Sequence, residues 1–301
     1  MSKEITLITP HHKLWNVDFR EIWRYRDLIE LFVRRNIVVQ YKQTILGPLW
    51  YLIQPILTVA MNMIVFGGIA KMSTDGVPQA LFYMAGNVCW FYFADCLNQT
   101  SSTFTTNQQM FGKVYFPRLV VPIATVISNL LRFGIQLTLF VAMYLWFFAN
   151  DYVNPNPNLV AFLPVDTPAF VSVIVSSIIV IVMVMVIVIM LAGLGLGFGI
   201  LVSSMTTKYR DLTILFTFIV QLWMYGTPIV YPLSMVTDST LRLCILANPL
   251  TAVIEAFKFT TLGVGYFSWC ALAYSFSFMT VLLILGIVVF NKVQRSFMDT
   301  V

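Results

Sequence analysis

Long apolar runs separated by short polar segments dominate the chain. A helix needs about 20 mainly apolar residues to cross a membrane, and six runs reach that length. Charged residues, polar turns or proline and glycine bound these runs, which favours helices over strands. The pattern therefore predicts six membrane-spanning helices, at residues 49–70, 81–104, 119–149, 170–203, 212–231 and 269–290.

The runs divide the chain into three parts. Residues 1–48 form a polar N-terminal segment, residues 49–292 form a transmembrane domain, and residues 293–301 form a short tail. Because the number of crossings is even, we expect both termini on the same side of the membrane.

Two further segments are neither spans nor ordinary loops. Residues 22–42 mix apolar and charged positions, which is typical of an amphipathic helix lying at a membrane surface. Residues 233–266 are largely apolar but contain four charged residues and several helix breakers. We interpret them as two short re-entrant helices on the outer face, a geometry tolerated where protein or water satisfies the backbone. The predicted fold class is an all-α integral membrane protein.

Composition excludes several classes of protein. Charged residues make up 10% of the 301 residues and hydrophobic residues 59%, whereas a soluble domain carries about 25% charged residues. A soluble enzyme, a disordered regulator and a nucleic-acid-binding domain are therefore excluded. The formal net charge of +5 is explained by basic loops beside the membrane rather than by nucleic acid.

The distribution of basic residues predicts the orientation. Of the 18 Lys and Arg residues, 14 lie in the N-terminal segment or in loops and the tail on its side of the membrane. Arg132 lies within a span, and the opposite side holds only Lys71, Arg242 and Lys258. Basic residues accumulate in cytoplasmic loops, so we expect both termini in the cytoplasm.

The sequence carries no known catalytic or metal-binding pattern. It has no G-x-x-x-x-G-K-[S/T] phosphate loop and no H-E-x-x-H motif. Its two histidines and four cysteines show no metal-ligand spacing. The glycines Gly193, Gly195, Gly197 and Gly199 lie inside a predicted span, so we interpret them as small residues that let helices approach closely. No catalytic residue and no metal site is predicted.

Four stretches follow one another in an informative order. They are Trp23–Trp50, Gly112–Arg118, Lys208–Asp211, and Gln221–Ser234 followed by Asn248-Pro249-Leu250. Together they resemble the membrane subunits of ATP-binding-cassette polysaccharide exporters, the O-antigen and teichoic-acid permeases. The likeness covers roughly residues 20–295.

The resemblance implies a transport function. Members of this family are homodimers that enclose a channel, and two copies of a separate cytoplasmic ATPase, which binds ATP and magnesium, dock beneath them. The chain itself is then not an enzyme and needs no cofactor. The implied substrate is an O-antigen type polysaccharide on undecaprenyl diphosphate, moved from the cytoplasmic to the periplasmic side of the bacterial inner membrane.

Other transport or transfer functions are left as alternatives. A related permease for capsule, teichoic acid or a small-molecule drug would show the same six spans. A secondary transporter would need inverted repeats around intramembrane ion ligands, and a membrane-embedded transferase would need a nucleophile or paired acids. The sequence shows neither set of features.

The connection between the second and third predicted spans is the expected docking site for the ATPase. In the family this segment fits a groove on the ATPase, and the next cytoplasmic connection is a second candidate. The alternative is that the charges of both segments only anchor helix ends. The residues assigned to coupling are Asn107, Gln108, Gln109, Met110, Phe111, Gly112, Lys113, Val114, Tyr115, Phe116, Pro117, Arg118, Lys208 and Arg210.

Three basic residues before the first span are candidates for recognising the lipid diphosphate. Arg34, Arg35 and Lys42 would offer a cationic rim to its phosphate groups. Ordinary anchoring at the cytoplasmic surface explains the same residues at least as well.

Aromatic and charged residues inside the spans are candidates for the channel wall. A charge inside a membrane is costly unless it is paired or hydrated. Asp95 and Arg132 lie at matched depth on adjacent spans, so either they form an ion pair or each faces a hydrated channel. The residues assigned to the channel are Trp90, Tyr92, Asp95, Arg132, Trp223 and Tyr225.

Overall fold

The computed structural model describes residues 19–42, 47–111, 116–153, 156, 159, 169–207, 209 and 211–297. Helices and turns form all the regular structure in these ranges, so the predicted all-α class is confirmed. The helices are α1 (Phe19–Arg24), α2 (Arg26–Tyr41), α3 (Trp50–Asn62, continued by a π-helix, Met63–Ile69), α4 (Gln79–Ser101), α5 (Thr103–Thr106), α6 (Gln108–Phe111), α7 (Val120–Ala149), α8 (Ala169–Thr206), α9 (Leu212–Tyr225), α10 (Ser239–Ala247), α11 (Pro249–Leu262) and α12 (Trp269–Phe297).

Five helices of the described ranges are long and apolar enough to cross a membrane. They are Trp50–Ile69, Gln79–Ser101, Val120–Ala149, Val171–Thr206 and Trp269–Gln294. Helices α10 and α11 are bent by 93° relative to each other, and they add a sixth crossing only if the pair forms one broken span. The structure thus has five or six candidate spans, where the sequence predicts six.

The fifth predicted span, 212–231, is helical over a shorter length than expected. Helix α9 ends at Tyr225, where Gly226 and Pro228 interrupt the helical hydrogen bonds. Its 14 residues extend about 21 Å, which is less than the ~30 Å thickness of the hydrocarbon core. Helix α9 alone is therefore too short to cross a bilayer.

Side-chain caps explain the sharp turn between α10 and α11. Asp238 accepts a hydrogen bond from the Thr240 backbone N–H at 2.9 Å, and Asn248 accepts one from the Leu250 N–H at 3.1 Å. Pro249 occupies the first turn of α11, where its missing N–H removes no helical hydrogen bond. Each helix therefore begins at its own cap, and the chain changes direction at Asn248.

Helix α4 is the centre of the bundle. It packs against α3, α7, α8, α9 and α11, and most of its side chains are buried. It is also the least apolar of the five candidate spans, whereas the most apolar 18-residue stretch of α8, the most apolar span, is only 11% buried. Both properties have one cause, because a helix shielded from lipid can carry polar side chains and a lipid-facing helix cannot.

The glycines of α8 lie where this helix meets its two neighbours. A Cβ atom at Gly195 would be 2.7 Å from the Cβ of Cys96, and one at Gly199 would be 2.5 Å from the Cβ of Thr100. Both neighbours belong to α4. The alternate glycines face α12, Gly193 against Met279 and Gly197 against Leu282. The interpretation of these glycines as close-approach residues is confirmed.

The amphipathic segment predicted at residues 22–42 forms α1 and α2. One face of these helices packs against the adjacent ends of α7, α8 and α12. Phe32 is buried in this contact, with its ring centroid 5.8 Å from that of Phe116. The Asn36 amide also donates a hydrogen bond to Ser128 Oγ of α7 at 3.3 Å. Helix α2 is therefore attached to the bundle along one side.

Replacing Gly195 or Gly199 by Ala should lower the thermal stability of the purified protein, because the added methyl group meets atoms of α4. The expected loss is about 1–3 kcal/mol, as for other overpacked contacts. Heating in detergent followed by size-exclusion chromatography measures it. Gly134→Ala on α7 is the matched control, because nothing lies within 4 Å of its added Cβ. Equal stability of all three variants would contradict the close packing.

Candidate functional site

Five polar side chains form a strip that leads from the end of α2 into the bundle. We name it the polar strip, and it consists of Gln40 on α2, Tyr51 and Gln54 on α3, Asp95 on α4 and Arg132 on α7. The Tyr51 hydroxyl donates to Gln40 Oε1 at 2.5 Å, and Arg132 Nη2 donates to Gln54 Oε1 at 2.7 Å. The Arg132 guanidinium lies 5.1 Å from the centroid of the Tyr51 ring, which joins the two hydrogen-bonded pairs.

The inner end of the polar strip is an ion pair. Arg132 Nη1 lies 2.7 Å from Asp95 Oδ2, so the pairing that the sequence left open is present. A lone charge deep in a membrane costs on the order of 2.5–3.5 kcal/mol, and the pair avoids this cost. The two side chains are 15% and 23% exposed, and Gln40 and Gln54 are exposed as well. The polar strip is therefore open along one side of the subunit.

The ion pair follows from the register of α4 and α7. The Asn129 amide approaches Cys96 Sγ at 3.8 Å, and the Tyr92 and Phe133 rings lie 5.1 Å apart. These contacts show that the two helices run antiparallel, with Asp95 and Arg132 at the same level. The sequence predicts this matched depth, because the depth of each charge follows from the predicted limits of its span.

Sequence reasoning missed the other half of the polar strip. Tyr51 and Gln54 are spaced three residues apart, so they lie on one face of the first turns of α3. That spacing is the one signal that could have identified them. Gln40 carries no comparable signal, because its partner Tyr51 lies beyond the turn between α2 and α3.

Two of the aromatic residues assigned to the channel are in the interior instead. Trp90 and Tyr92 are only 3% and 2% exposed, so the assignment of these two side chains to a channel wall is wrong for this structure. The reason is the central position of α4, whose aromatic side chains pack against neighbouring helices. Trp223 is half-buried, with its ring edge-on to Phe93 at 5.5 Å. Tyr225 is the exposed one.

The residues predicted to recognise the lipid diphosphate lie near the end of the polar strip that α2 forms. Arg34, Arg35 and Lys42 are all exposed on α2 or at its end. The Arg35 guanidinium lies 4.8 Å from the centroid of the Phe32 ring, and its Nη2 donates to Asn36 at 3.3 Å. The side chain therefore has a defined position, and its helix leads within five residues to Gln40 of the strip.

Part of the predicted coupling segment is buried. Phe111, Phe116 and Arg118 pack in an aromatic cluster that we define as Phe32, Phe104, Phe111, Phe116 and Phe290 with the Arg118 side chain. Arg118 Nη1 donates to the Gln294 backbone carbonyl at 2.9 Å, and burial lowers the pKa of its guanidinium. Because these three side chains are buried, they hold the segment in place, and their assignment to coupling stays a prediction.

The exposed part of the same segment is polar and uncharged. Thr105, Thr106 and Gln109 are exposed, while Asn107, Gln108 and Met110 are half-buried. Pro117 is half-buried, and the remaining residues assigned to coupling, Gly112, Lys113, Val114, Tyr115, Lys208 and Arg210, lie outside the described residues. The two threonines precede the predicted segment, so sequence reasoning missed them.

A second ion pair lies at the opposite end of α4. Lys258 Nζ is 3.6 Å from Glu255 Oε1, donates to the Pro228 carbonyl at 2.5 Å and lies 3.9 Å from the centroid of the Phe82 ring. Glu255 also accepts a hydrogen bond from the Tyr266 N–H at 2.8 Å. Both charged side chains are almost fully buried, so Lys258, which the sequence counts on the side opposite the termini, does not face solvent in this subunit.

The signal for this pair is present in the sequence. Opposite charges spaced three residues apart in an otherwise apolar helix lie on one face and can pair. Glu255 and Lys258 have that spacing, and their burial makes them a structural clamp between α4, α11 and the chain that follows α9. Among the described residues, no three His, Cys, Asp or Glu side chains converge in a way that could hold a metal ion.

Comparison with known proteins gives a consistent family. The family model of the ABC-2 type transporter matches residues 27–262. The O-antigen export system permease protein RfbA of Myxococcus xanthus is 23% identical over 240 residues, which cover 79% of this chain and 82% of that protein. A protein of the same name from Klebsiella pneumoniae is 24% identical over 274 residues, covering 91% and 94% of the two chains.

The matched region contains most of the residues described above. It begins in α2 and ends with α11, so it includes the polar strip, the aromatic cluster up to Phe116 and the buried ion pair. The resemblance to polysaccharide exporter permeases that the sequence motifs indicate is confirmed. This chain belongs to the ABC-2 type transporter family and is a multi-pass membrane subunit of an ATP-binding-cassette transporter.

Proposed function

We propose that this chain is the channel-forming subunit of an ATP-driven exporter of an O-antigen type polysaccharide carried on undecaprenyl diphosphate. The observation that carries the proposal is the similarity to O-antigen export permeases, which extends over 91% of the chain. The family also favours an ATP-driven transporter over a secondary transporter or a membrane-embedded transferase. Related permeases for capsule, teichoic acid or small molecules remain the alternative within the family.

The polar strip is the proposed route by which the substrate meets the subunit. Exposed amide, phenol and charged groups cannot face hydrocarbon without cost. Their open side therefore borders either water or a second copy of the chain, and a homodimer that encloses a hydrated channel satisfies both possibilities. Arg34, Arg35 and Lys42 lie on or next to α2, at the end of the polar strip that α2 forms, where they can attract the diphosphate group.

The proposed channel wall contains fewer residues than the sequence analysis assigned to it. It retains Asp95 and Arg132, which are partly exposed in the polar strip, together with Trp223 and Tyr225 at the end of α9. Tyr225 offers an open aromatic face on which a sugar ring can pack. Export is proposed to run from the cytoplasmic to the periplasmic side of the bacterial inner membrane.

A separate cytoplasmic ATPase, present in two copies, is the proposed partner that binds ATP and magnesium. This chain contributes no cofactor site of its own to the proposal. Its docking surface is proposed to be the exposed edge of α5 and α6, formed by Thr105, Thr106 and Gln109. Gly112–Tyr115, Lys208 and Arg210, which lie outside the described residues, stay assigned to coupling as a prediction from the sequence. The aromatic cluster packs against this edge and includes Phe32 of α2 and Phe290 of α12. A displacement of the edge is therefore proposed to move α2 and α12.

The orientation is part of the same proposal. The excess of Lys and Arg on one side places both termini, α1 and α2 in or at the cytoplasm. The transmembrane domain then begins near residue 49 and ends near residue 292. Helices α10 and α11 are proposed to enter from the outer face and return to it, with the caps at Asp238 and Asn248 fixing their bend. Helix α9 together with residues 226–231 is then the fifth of six proposed crossings, which keeps both termini on one side.

Deletion of the gene should abolish surface polysaccharide and leave lipid-linked polymer inside the cell, because the chain would be its only path across the membrane. Immunodetection before and after cell lysis measures both pools, and expression of the wild-type gene should restore the surface pool. Unchanged surface polymer in the deletion strain would refute the proposed function.

Bulky side chains on the exposed edge of α5 and α6 should prevent docking of the ATPase. In the variant with Thr106→Trp and Gln109→Trp, we expect the ATPase to stop copurifying and the surface polymer to fall, at normal abundance of the permease. Thr240→Trp, exposed on α10 at the other end of the molecule, is the matched control. Normal copurification in the double variant would reject this docking surface.

Cysteine labelling should reveal the orientation. In a background with the exposed residues Cys244 and Cys270 changed to Ser, a Tyr152→Cys variant should react with a maleimide that cannot cross the inner membrane. A Gln109→Cys variant should react only after the membrane is permeabilised. Both positions are exposed, so the reverse pattern would overturn the proposed orientation.

Breaking the inner ion pair should lower the amount of folded permease, because either single change leaves one charge unpaired in the membrane. Asp95→Asn or Arg132→Gln should each cost on the order of 2.5–3.5 kcal/mol. The exchanged pair, Asp95→Arg with Arg132→Asp, should restore most of the abundance. If Arg132→Gln is normally abundant but blocks export, the charge acts on the substrate instead and pairing is not its main role.

A further inference from the structure

Three buried polar side chains at the contact between α3 and α4 have unused hydrogen-bonding capacity. The Asn62 Nδ2, the Tyr83 hydroxyl and both amide atoms of Asn87 have no hydrogen-bond partner in the part of the chain that the structure describes. Asn62 is 8% exposed, and Tyr83 and Asn87 are fully buried. An unsatisfied buried polar group costs about 1–3 kcal/mol, so four such atoms in one region require a cause.

The three side chains lie at one level of the contact. On α3, the buried positions Pro55, Val59 and Asn62 recur at helical spacing and form one face of a helix that contacts both α4 and α7. On α4, Tyr83 and Asn87 are one turn apart and share a face. The side chains therefore project into the same interface from its two sides.

The register of the two helices is fixed at both ends. Near one end, a Cβ atom at Gly67 would collide with the Gln79 side chain. Near the other, Gln54 reaches Asp95 through Arg132. Since α3 and α4 run antiparallel, residue 62 faces the turn of α4 between residues 83 and 87.

The backbone next to this level is unusual. Immediately after Asn62 the helix widens into the π-helix Met63–Ile69, whose end is marked by a 2.9 Å hydrogen bond from the Ala70 N–H to the Val65 carbonyl. Such π-helical turns are frequent at functional sites. Helix α3 is also among the least buried of the candidate spans, so few contacts hold its outer half against α4.

The chemistry of the three side chains selects the ligand. Two amides and a phenol are neutral, and together they offer both donors and acceptors. None of the three side chains carries a charge, which favours a neutral ligand over an ion. A hydroxyl group, which donates and accepts at once, satisfies the set.

We propose that Asn62, Tyr83 and Asn87 form a binding site for neutral hydroxyl groups between α3 and α4. Water fills it while the helices are packed, since a buried water typically makes about three hydrogen bonds to such groups. Sugar hydroxyls replace the water when α3 moves away from α4 during export. The second step rests on the proposed function, whereas the first does not.

Radiolytic hydroxyl-radical footprinting of the purified permease–ATPase complex in nanodiscs tests the water. A side chain in contact with bound water is oxidised even when it is buried. Tyr83 should be modified several-fold faster than its neighbour Phe82, which is equally buried and apolar, and Asn87→Leu should remove the difference. Equal protection of Tyr83 and Phe82 in the wild-type protein would overturn the site.

Export by variants separates sugar from water as the ligand. Asn87→Leu and the milder Tyr83→Phe should each reduce surface polymer several-fold while permease abundance and ATPase copurification stay normal. Val59→Ile, on the same face of α3, is the matched control. Normal export by both variants, together with a positive footprint, would limit the ligand to water and overturn the sugar step. The footprint needs no substrate, so it stands even if deletion of the gene leaves surface polymer unchanged.

Discussion

Hydrocarbon offers no hydrogen bonds, and this constraint determines how the helices of the bundle are held together. Asp95 pairs with Arg132 across α4 and α7, and Glu255 pairs with Lys258 against the Phe82 ring of α4. The two pairs lie towards opposite ends of the same central helix. Helix α4 is therefore fixed to α7 at one end and to α11 at the other, and it serves as the frame on which other helices pack.

Helix α3 is attached to this frame in a different way. Its contacts with the inner ion pair are made by the Gln54 side chain and the Tyr51 ring, and its buried face includes the unsatisfied amide of Asn62. By contrast, α8 is seated by Gly195 and Gly199 directly on the backbone of α4. Separating α8 from α4 would open a close-packed seam, whereas separating α3 would expose groups that water can satisfy. Movement at α3 therefore leaves the close-packed contact between α4 and α8 intact.

The sequence was sufficient for features that depend on order along the chain, but not for those that depend on direction around a helix. Apolar run lengths identify the spans, and matched depth suggests the pairing of Asp95 with Arg132. Hydropathy contains no information about which side of a span faces the protein, so Trp90 and Tyr92 were assigned to a channel although they are buried. The same limit applies to Arg118, whose burial depends on α12, far away in the chain.

The aromatic cluster connects the exposed edge of α5 and α6 with the polar strip through direct contacts. Phe116 packs on Phe32 of α2 at 5.8 Å, and the far end of α2 carries Gln40, which accepts a hydrogen bond from Tyr51 of α3. Because α2 is a continuous helix of 16 residues, a displacement at Phe32 is carried to Gln40 without a flexible joint. The helix that this path reaches is α3, so a displacement at the edge of α5 and α6 is passed to the polar strip and to the contact between α3 and α4.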